Sequence, residues 1–433
     1  MALLIFLFTL ILIIWQLRGL GIGLGALTGG IFTLVSDVSL MDELRVSATV
    51  GNTILTLIAL LILCRILDEA GFWRGLALQL TVLGIGQGRL LFLLCGLLGA
   101  LGTIVLTNVG MALIWISPVM EILCLLRLRA KTVFAVVFTV SFITEAASLL
   151  FPVSNPVNLL AVNYGDISGF RYSLVMTPVT FVAIATSLAS LWFYFHRDIP
   201  VTYKLTHLPP PRQAIRDPLV CRWGMVILAS LPLAYWIAQD HALPTWIVPA
   251  IAALILLGLA RRGFLPNTTP IISVGKVWQE IPWQLIGFSV LMYGVVLGLA
   301  QVGMSHVITH QLDALSSWGL TLTAIGTGFL ATGLSNLFHN LPTVLLNAVA
   351  ISDTTTEPAI REMMEYANVI GCTLGAKITP LGSLSTLIWF KVLARKGLRL
   401  HWFYYIRLSL ILTLPILFLS LLSLALWFPW LIV

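Results

Sequence analysis

Glu145 and Lys377 are ionisable side chains that lie well inside long apolar stretches of this sequence of 433 residues. On membrane-insertion scales such a charge costs at least about 2.5 to 3.5 kcal/mol, so residues of this kind usually border a pathway or pair with each other. Two interpretations stay open: a structural ion pair, or a role in proton carrying or in the electrostatics of a site for at least one of the two. His339 could titrate near neutral pH, although a single histidine is more often a packed polar residue.

Neutral hydrogen-bonding side chains cluster at four short polar interruptions of the apolar stretches. The interruptions are residues 107–110, 154–158, 339–342 and 377–383. Irregular backbone at membrane depth is tolerated only where it lines a cavity or is buried in protein, so we expect the four to converge on one site for a small polar solute. The predicted lining is Thr107, Asn108, Ser154, Asn155, Asn158, Asn340, Thr343, Thr379 and Ser383. The alternative is that these residues only cap and pack helices.

The composition excludes a water-soluble enzyme. Hydrophobic residues make up 59% of the chain and charged residues 9%, whereas about 25% of a soluble domain is charged. Most of the surface must therefore face lipid, as in a polytopic membrane protein. The five cysteines form no CxxC motif and no metal-ligand spacing, so we expect neither a metal nor a cofactor. No Walker A, HExxH or GxSxG motif occurs, which argues against ATP hydrolysis and a membrane-embedded hydrolase.

Twelve apolar runs set the predicted architecture. They lie at about 2–17, 20–36, 47–64, 90–126, 132–162, 173–195, 223–239, 245–260, 283–303, 318–352, 367–393 and 402–430. A helix needs roughly 20 residues to cross the hydrocarbon. The runs 90–126 and 318–352 are nearly twice as long and polar at their centres, which predicts two re-entrant helical hairpins. The runs 132–162 and 367–393 are single crossings with an interruption, which predicts two broken transmembrane helices.

The basic residues indicate which loops share a side. With ten crossings and two re-entrant hairpins, only Arg45, Arg171 and Arg361 fall on one side, Lys377 lies in the membrane, and the other 20 of the 24 Lys and Arg residues fall on the opposite side. By the positive-inside rule the second side is the cytoplasm, so both termini are predicted outside. This distribution explains the net charge of +7 without a nucleic-acid partner.

The two predicted hairpins then enter the membrane from opposite sides. The second enters from outside, beside an expected acidic flank formed by Asp353, Glu357, Glu362 and Glu365. Residues 1–195 and 223–433 are therefore predicted to be inverted repeats joined by a polar cytoplasmic linker, 196–222. Inverted repeats with paired broken helices are the architecture of secondary transporters. We thus predict an all-α polytopic membrane protein, an inverted-repeat secondary transporter with two re-entrant hairpins and two broken helices.

Motifs distributed along nearly the whole chain carry a family resemblance. They are residues 15–16 (WQ), 19–23 (GLGIG), 67–72 (LDEAGF), 88–92 (GRLLF), Asn108, 154–155 (SN), 340–345 (NLPTVL), 366–372 (YANVIGC) and 377–384 (KITPLGSL). In order and spacing they resemble the arsenite/antimonite permease family, ArsB type, of the ion-transporter superfamily. The resemblance implies an inner-membrane efflux carrier that exchanges trivalent arsenic and antimony hydroxides for protons. In some members an ATPase subunit drives the transport.

Several positions depart from the family pattern. Val109 and Thr373 stand where acids are usual, and His339 stands where an asparagine is usual in the second hairpin. Of the acids that the resemblance implies as proton carriers, only Glu145 remains, at a position where aspartate is usual. If Glu145 and Lys377 are adjacent, we expect an ionised pair and a carrier that is only weakly coupled to protons. If they are apart, we expect Glu145 to titrate and drive exchange.

Three functions remain open from the sequence. The leading one is export of arsenite in exchange for protons, which suits the neutral lining. The second is a gradient-coupled carrier of another small anion, for which Lys377 would supply the counter-charge. The third is a channel-like membrane subunit that has lost proton coupling.

Overall fold

The computed structural model describes residues 40–431 apart from 206–207, 242, 262–271, 285, 288–289, 291–302 and 399. The predicted crossings at 2–17 and 20–36, most of the crossing at 283–303 and the motifs within 15–23 lie outside the described residues. Within the described residues the regular elements are helices, with one isolated β-bridge between Gln87 and Thr202. Eight of these helices are long and apolar enough to cross a membrane. The predicted all-α polytopic class is confirmed.

The helices are numbered here in chain order. Up to residue 195 they are α1 (Leu40–Glu69), α2 (Phe72–Leu83), α3 (Gly88–Val105), α4 (Asn108–Ile114), α5 (Ile116–Leu125), α6 (Ala130–Ala147), α7 (Pro156–Tyr164) and α8 (Gly169–Phe195), with a 3₁₀ turn at Pro152–Ser154. After it they are α9 (Pro211–Ala214), α10 (Pro218–Asp240), α11 (Ile247–Ala260), α12 (Val274–Gln279), α13 (Met304–Ser316), α14 (Leu320–Phe338), α15 (Asn340–Ser352), α16 (Pro358–Leu374), α17 (Leu384–Arg395) and α18 (Trp402–Trp427), with 3₁₀ turns at Gly375–Ile378 and Phe428–Leu431.

The long run 90–126 folds into two arms, α3 and the returning α4 and α5. The indole Nε1 of Trp115 donates a hydrogen bond of 3.2 Å to the carbonyl of Cys95. Nearer the tip, Gly102 faces the side chain of Met111. Because these two contacts join earlier residues of α3 to later residues of the second arm, the arms run antiparallel. The polar interruption predicted at residues 107–110 coincides with the start of α4.

The run 318–352 reverses in the same way at a single residue, His339, between α14 and α15. His339 has φ 74° and ψ 144°, a conformation with positive φ that residues other than glycine rarely adopt. The hydroxyl of Thr343 donates to the carbonyl of His339 at 2.7 Å and lies 3.4 Å from the carbonyl of Leu334 on the other arm. The second arm is thereby held against the first.

The first broken helix is interrupted earlier than the sequence pattern predicts. The irregular backbone covers residues 148–155, and α7 begins at Pro156. The side chain of Asn155 accepts a hydrogen bond of 3.1 Å from the backbone N–H of Val157 and so caps α7. A capping asparagine followed by proline at the first helical position favours a helix start. The prediction that the interruption extends through Asn158 was therefore wrong.

The second broken helix agrees more closely with the prediction. Helix α16 ends at Leu374, a 3₁₀ turn follows, and α17 begins at Leu384, so the interruption includes the predicted segment 377–383. Its first segment starts at Pro358, well before the apolar run expected at 367. Helix α16 also approaches α14 closely, since a Cβ at Gly371 would collide with the carbonyl oxygen of Gly328. Small residues permit this approach of two helix backbones.

The same packing relations occur in both halves of the chain. In each half the first arm of the hairpin packs against the first segment of the broken helix that follows it, α3 on α6 and α14 on α16. The returning arm packs against the second segment of the other broken helix, α4 on α17 and α15 on α7. The long helices α8 and α18 pack on each other. The hairpins and broken helices of the two halves thus interlock at the centre.

Candidate functional site

Glu145 and Lys377 are adjacent and fully enclosed. The ammonium Nζ of Lys377 lies 3.4 Å from Oε2 of Glu145, and their side chains are 2% and 1% exposed. The same ammonium donates to the hydroxyl of Ser141 at 2.7 Å and to that of Thr386 at 3.4 Å, and it lies 5.8 Å from the ring centre of Phe142. Of the two interpretations left open by the sequence, the structure supports the ion pair.

The carboxylate of Glu145 is also held by the first hairpin and by α17. Its Oε1 accepts from the side-chain amide of Asn108 at 2.8 Å, and its Oε2 accepts from the hydroxyl of Ser385 at 2.6 Å. Ser383 extends this network, with its hydroxyl 2.8 Å from that of Ser385. Two donors and a cation stabilise the charged form of a carboxylate. Both oxygens of the Glu145 carboxylate are therefore engaged, one by Asn108 and the other by Ser385 and Lys377.

Asn108 is fixed from both ends of its side chain. Its oxygen accepts a hydrogen bond of 2.8 Å from the backbone N–H of Val109 and lies 3.4 Å from the hydroxyl of Thr107. Its side-chain amide donates to Oε1 of Glu145. The predicted site residues Thr107 and Asn108 are thus buried parts of the charged network, and their described hydrogen-bonding groups are largely occupied by protein.

The polar groups in the interruption of the first broken helix form hydrogen bonds mostly with residues of the same segment. The amide of Asn155 lies 3.2 Å from the hydroxyl of Ser148 and 3.3 Å from that of Thr373, which connects it to α16. The amide of Asn158 donates to the carbonyl of Ser148 at 2.6 Å and to that of Phe151 at 3.1 Å. The carboxamide oxygen of Asn158 is buried and lacks a hydrogen-bond partner.

Ser154, the remaining predicted residue of this interruption, bonds the first hairpin. Its hydroxyl donates a hydrogen bond of 2.8 Å to the carbonyl of Ile104, in the last turn of α3. The interruption is thereby attached to the tip of the hairpin.

The second hairpin is joined to the second interruption. The backbone N–H of Asn340 donates to the carbonyl of Gly382 at 2.9 Å. The oxygen of Asn336 accepts from the backbone N–H of Thr379 at 2.9 Å, and its amide donates to the carbonyl of Gly375 at 2.9 Å. These bonds satisfy backbone groups that the interruption leaves open. The carboxamide oxygen of Asn340 is buried and has no hydrogen-bond partner.

The structure therefore brings Asn108, Glu145, Lys377 and Ser383 into one network and places the other predicted residues around it. Eight of the nine predicted lining residues are buried, and Thr379 is half-buried. The side chains of Ser154 and Thr343 bond backbone carbonyls. The contacts of these two residues agree with the alternative interpretation, in which such residues only cap and pack helices.

Four residues that hold the network or the second interruption were not predicted from the sequence: Ser141, Asn336, Ser385 and Thr386. Ser141 precedes Glu145 by four residues, a spacing that places both side chains on one face of a helix and could have identified it. Asn336 lies one turn before the reversal at His339, within a run treated as uniformly apolar. Ser385 and Thr386 follow the predicted interruption directly, and nothing in their local pattern distinguishes them.

The position of Glu365 also differs from the predicted one. The sequence places it on an exposed outer acidic flank and leaves Glu145 as the only buried carboxylate near the interruptions. In the structure Glu365 lies inside α16 and is only 6% exposed. The apolar run begins at residue 367, but the helix begins at Pro358, so Glu365 is carried into the packed interior.

Two cavities open at opposite ends of α1. One, of about 1120 Å³, is lined by Thr49 and Asn52 of α1. It extends to Ile104 near the end of α3 and to Val153 in the first interruption. The other, of about 890 Å³, is lined by charged side chains at the far end of α1 and of α17. These include Arg65, Asp68, Glu69, Glu280, Lys391 and Arg395. Neither of these two cavities is lined by the asparagines of the interruptions.

Comparison with known proteins gives the same family that the sequence motifs indicate. The family model ArsB, arsenical pump membrane protein, matches residues 1–428. An arsenical pump membrane protein of Escherichia coli is 40% identical over 423 residues, covering 98% of this chain and 97% of the relative. That of Yersinia enterocolitica is 41% identical with the same coverage. A putative arsenical pump membrane protein of Bacillus subtilis is 26% identical over 446 residues, covering 98% of this chain and 99% of the relative. This chain belongs to the arsenical pump membrane protein family.

Proposed function

We propose that this protein is a secondary transporter that exports arsenite and antimonite across the inner membrane in exchange for protons. The observation that carries the proposal is the neutral, hydrogen-bonding surroundings of four helix interruptions in a chain of this family. The two central charges compensate each other at 3.4 Å, so the site has no free charge to attract an ion.

Orphaned acceptors support a solute that donates hydrogen bonds. Trivalent arsenic and antimony hydroxides are small, uncharged and rich in O–H groups. The carboxamide oxygens of Asn158 and Asn340 are buried without a partner, and each begins or nearly begins a helix, α7 and α15, that packs on the other. An unpaired buried acceptor costs about 1 to 3 kcal/mol. A hydroxide that donates to these oxygens would recover part of that cost.

The proposed architecture is a pair of inverted repeats with two re-entrant hairpins, over 1–195 and 223–433. The reciprocal packing of α4 on α17 and α15 on α7 supports it. The ion pairs are consistent with the sidedness that it requires, since Arg74 with Glu121 and Lys276 with Glu69 join residues predicted inside. Arg171 with Glu362 joins residues predicted outside.

Transport in this proposal alternates access between the two cavities. The larger opens at the end of α1 predicted to lie outside, and the charged one at the cytoplasmic end. The segment Thr49–Glu69 between them has 21 residues, which corresponds to about 30 Å of helix, the thickness of the hydrocarbon core. A cytoplasmic ATPase subunit, implied by the family resemblance, would approach the charged end.

The alternative of a small-anion carrier is less well supported. It requires Lys377 to offer its charge to the solute, but the ammonium is engaged by Glu145, Ser141 and Thr386. A buried cation that already has a carboxylate partner has little net attraction left for a second anion.

Everted membrane vesicles from cells without their own arsenite exporter would test the function. We expect vesicles that contain this protein to accumulate arsenite when their interior is acidified, and to lose the accumulation when a protonophore removes the gradient. Accumulation driven by membrane potential alone would instead select the anion carrier. A flux that follows only the arsenite concentration would select the channel-like subunit.

A further inference from the structure

Glu365 is a buried carboxyl group outside the central ion-pair network. Its residue is 6% exposed, and its Oε2 has no hydrogen-bond partner. Among the described residues no lysine or arginine lies within ion-pair distance of it, although six other described carboxylates have such a partner. A buried carboxylate without a cation is costly, and such a group is more easily accommodated in its neutral form.

Three polar side chains form a connected cluster next to Glu365, whose carboxyl lies within hydrogen-bonding reach of Asn368. The amide of Asn347 donates to the oxygen of Asn368 at 2.9 Å, and the amide of Asn368 donates to the carbonyl of Val344 at 3.0 Å. The thiol of Cys372 lies 3.4 Å from the same oxygen of Asn368. The oxygen of Asn347, like Oε2 of Glu365, is buried without a partner. Two buried acceptor oxygens of the cluster therefore have no donor.

A proton on Glu365 would supply a missing donor. An ionised carboxyl can only accept hydrogen bonds, whereas a protonated one has an O–H to donate. Asn368 and Cys372 follow Glu365 at spacings of three and seven residues, which place all three on one side of α16. The packing of α15 on α16 brings Asn347 to the same cluster.

The other charged groups near α16 are already engaged or lie at its ends. On α16 itself, Glu362 pairs with Arg171, and Arg361 donates to the carbonyl of Thr354. Helices α14 and α15 contain no ionisable side chain, and His339 stands between them at the reversal. The remaining elements packed around this region contribute further ionisable groups: Tyr164 at the end of α7, the Glu145–Lys377 pair, Tyr404, Tyr405 and Arg407 of α18, and His306, His310 and Asp313 of α13.

We propose that Glu365 is the proton-binding carboxyl of the transport cycle. This inference rests on the proposed exchange of arsenite for protons. Glu365 holds the proton on its carboxyl in the enclosed arrangement described here. It releases that proton to water when the cluster opens, so that one O–H bond breaks and a carboxylate remains. Glu145 is excluded from this role by its fixed cation and its two donors.

The position of Glu365 couples it to the solute site. Helix α16 continues from Glu365 through Thr373, which contacts Asn155, into the turn that contains Lys377. A change in the packing of α15 on α16 around Glu365 would therefore move groups at the interruptions. The proton site would then lie on the same helix, α16, that contacts the first interruption through Thr373.

The test combines infrared spectroscopy with flux measurements on Glu365→Gln in the full-length protein. We expect wild type in lipid to show the carbonyl stretch of a protonated carboxylic acid, which Glu365→Gln lacks and Glu365→Asp keeps. In everted vesicles Glu365→Gln should lose arsenite accumulation driven by a pH gradient but keep arsenite counterflow at equal pH. Glu357→Gln, which removes an exposed acid from the start of the same helix, should behave as wild type in both measurements.

The outcomes separate this inference from the proposed function. If wild type and Glu365→Gln both accumulate arsenite in response to the pH gradient, Glu365 is not the carrier while proton exchange stands. If the acid band persists in Glu365→Gln, the protonated group is another residue. If wild type shows counterflow but no gradient-driven accumulation, proton exchange itself is wrong, and the role of Glu365 in coupling falls with it.

Discussion

Replacing Lys377 by methionine should destabilise this protein severely, and replacing Glu145 as well should restore it. The two charges lie 3.4 Å apart and are almost completely buried. At that distance and an effective dielectric constant of about 20, their attraction is about 5 kcal/mol. Removing one partner leaves a buried, uncompensated charge, which costs about 3 to 5 kcal/mol, whereas replacing both by neutral side chains is often close to neutral.

The measurement is the free energy of unfolding in mixed detergent micelles, titrated with SDS. We expect Lys377→Met and Glu145→Gln each to lose several kcal/mol, and the double variant to recover most of that loss. A control pair is Arg74 with Glu121, at 2.6 Å, where the two side chains are 44% and 36% exposed. For that exposed pair the corresponding substitutions should change the free energy by about 0 to 1 kcal/mol.

Two results would refute the reasoning. If both single variants are as stable as wild type, the pair is not held in the ionised form. If the double variant folds but has lost pH-gradient-driven arsenite flux, Glu145 carries the proton after all. We expect the folded double variant to keep that flux.

Three further predictions follow from the described contacts. Asn340→Ala should weaken arsenite affinity, measured as KM for uptake, by roughly 5- to 150-fold if the lost acceptor is worth about 1 to 3 kcal/mol; Asn336→Ala, whose side chain bonds the interruption, should lower stability instead, and an unchanged KM in Asn340→Ala would assign this residue to packing. A cysteine at Thr356 should react with an impermeant thiol reagent added outside cells and one at Gln213 should not, whereas the reverse labelling would contradict the proposed topology. Gly371→Ala should lower the free energy of unfolding by about 1 to 3 kcal/mol through overpacking, while Gly333→Ala, which has open space around its position, should have little effect; equal stabilities would contradict the close contact of α14 with α16.

The sequence predicts the interruptions well because their signals are local. Polar residues 107–110 and 377–383 stand out against apolar runs, and the structure places a helix start or an interruption at both. The partners of Glu145 could not be predicted, because Asn108 and Ser385 lie 37 and 240 residues away in the chain and meet it only through packing. Glu365 was misplaced since hydropathy locates the apolar run, whereas a proline at the first turn locates the helix start.

The conformation of His339 could not be predicted from the local sequence pattern either. A positive φ is predicted for glycine or asparagine, and here the packing of α14 on α15 imposes it on a histidine. Such a strained residue persists only where the surrounding structure determines it.

Proton movement coupled to arsenite movement tests the proposed exchange directly. Purified protein in liposomes that contain a pH-sensitive dye should alkalinise the interior when arsenite is added outside, because each arsenite that enters exchanges for protons that leave. Liposomes without protein should show no such change. Arsenite entry at the same rate without any change in internal pH would contradict the proposed exchange.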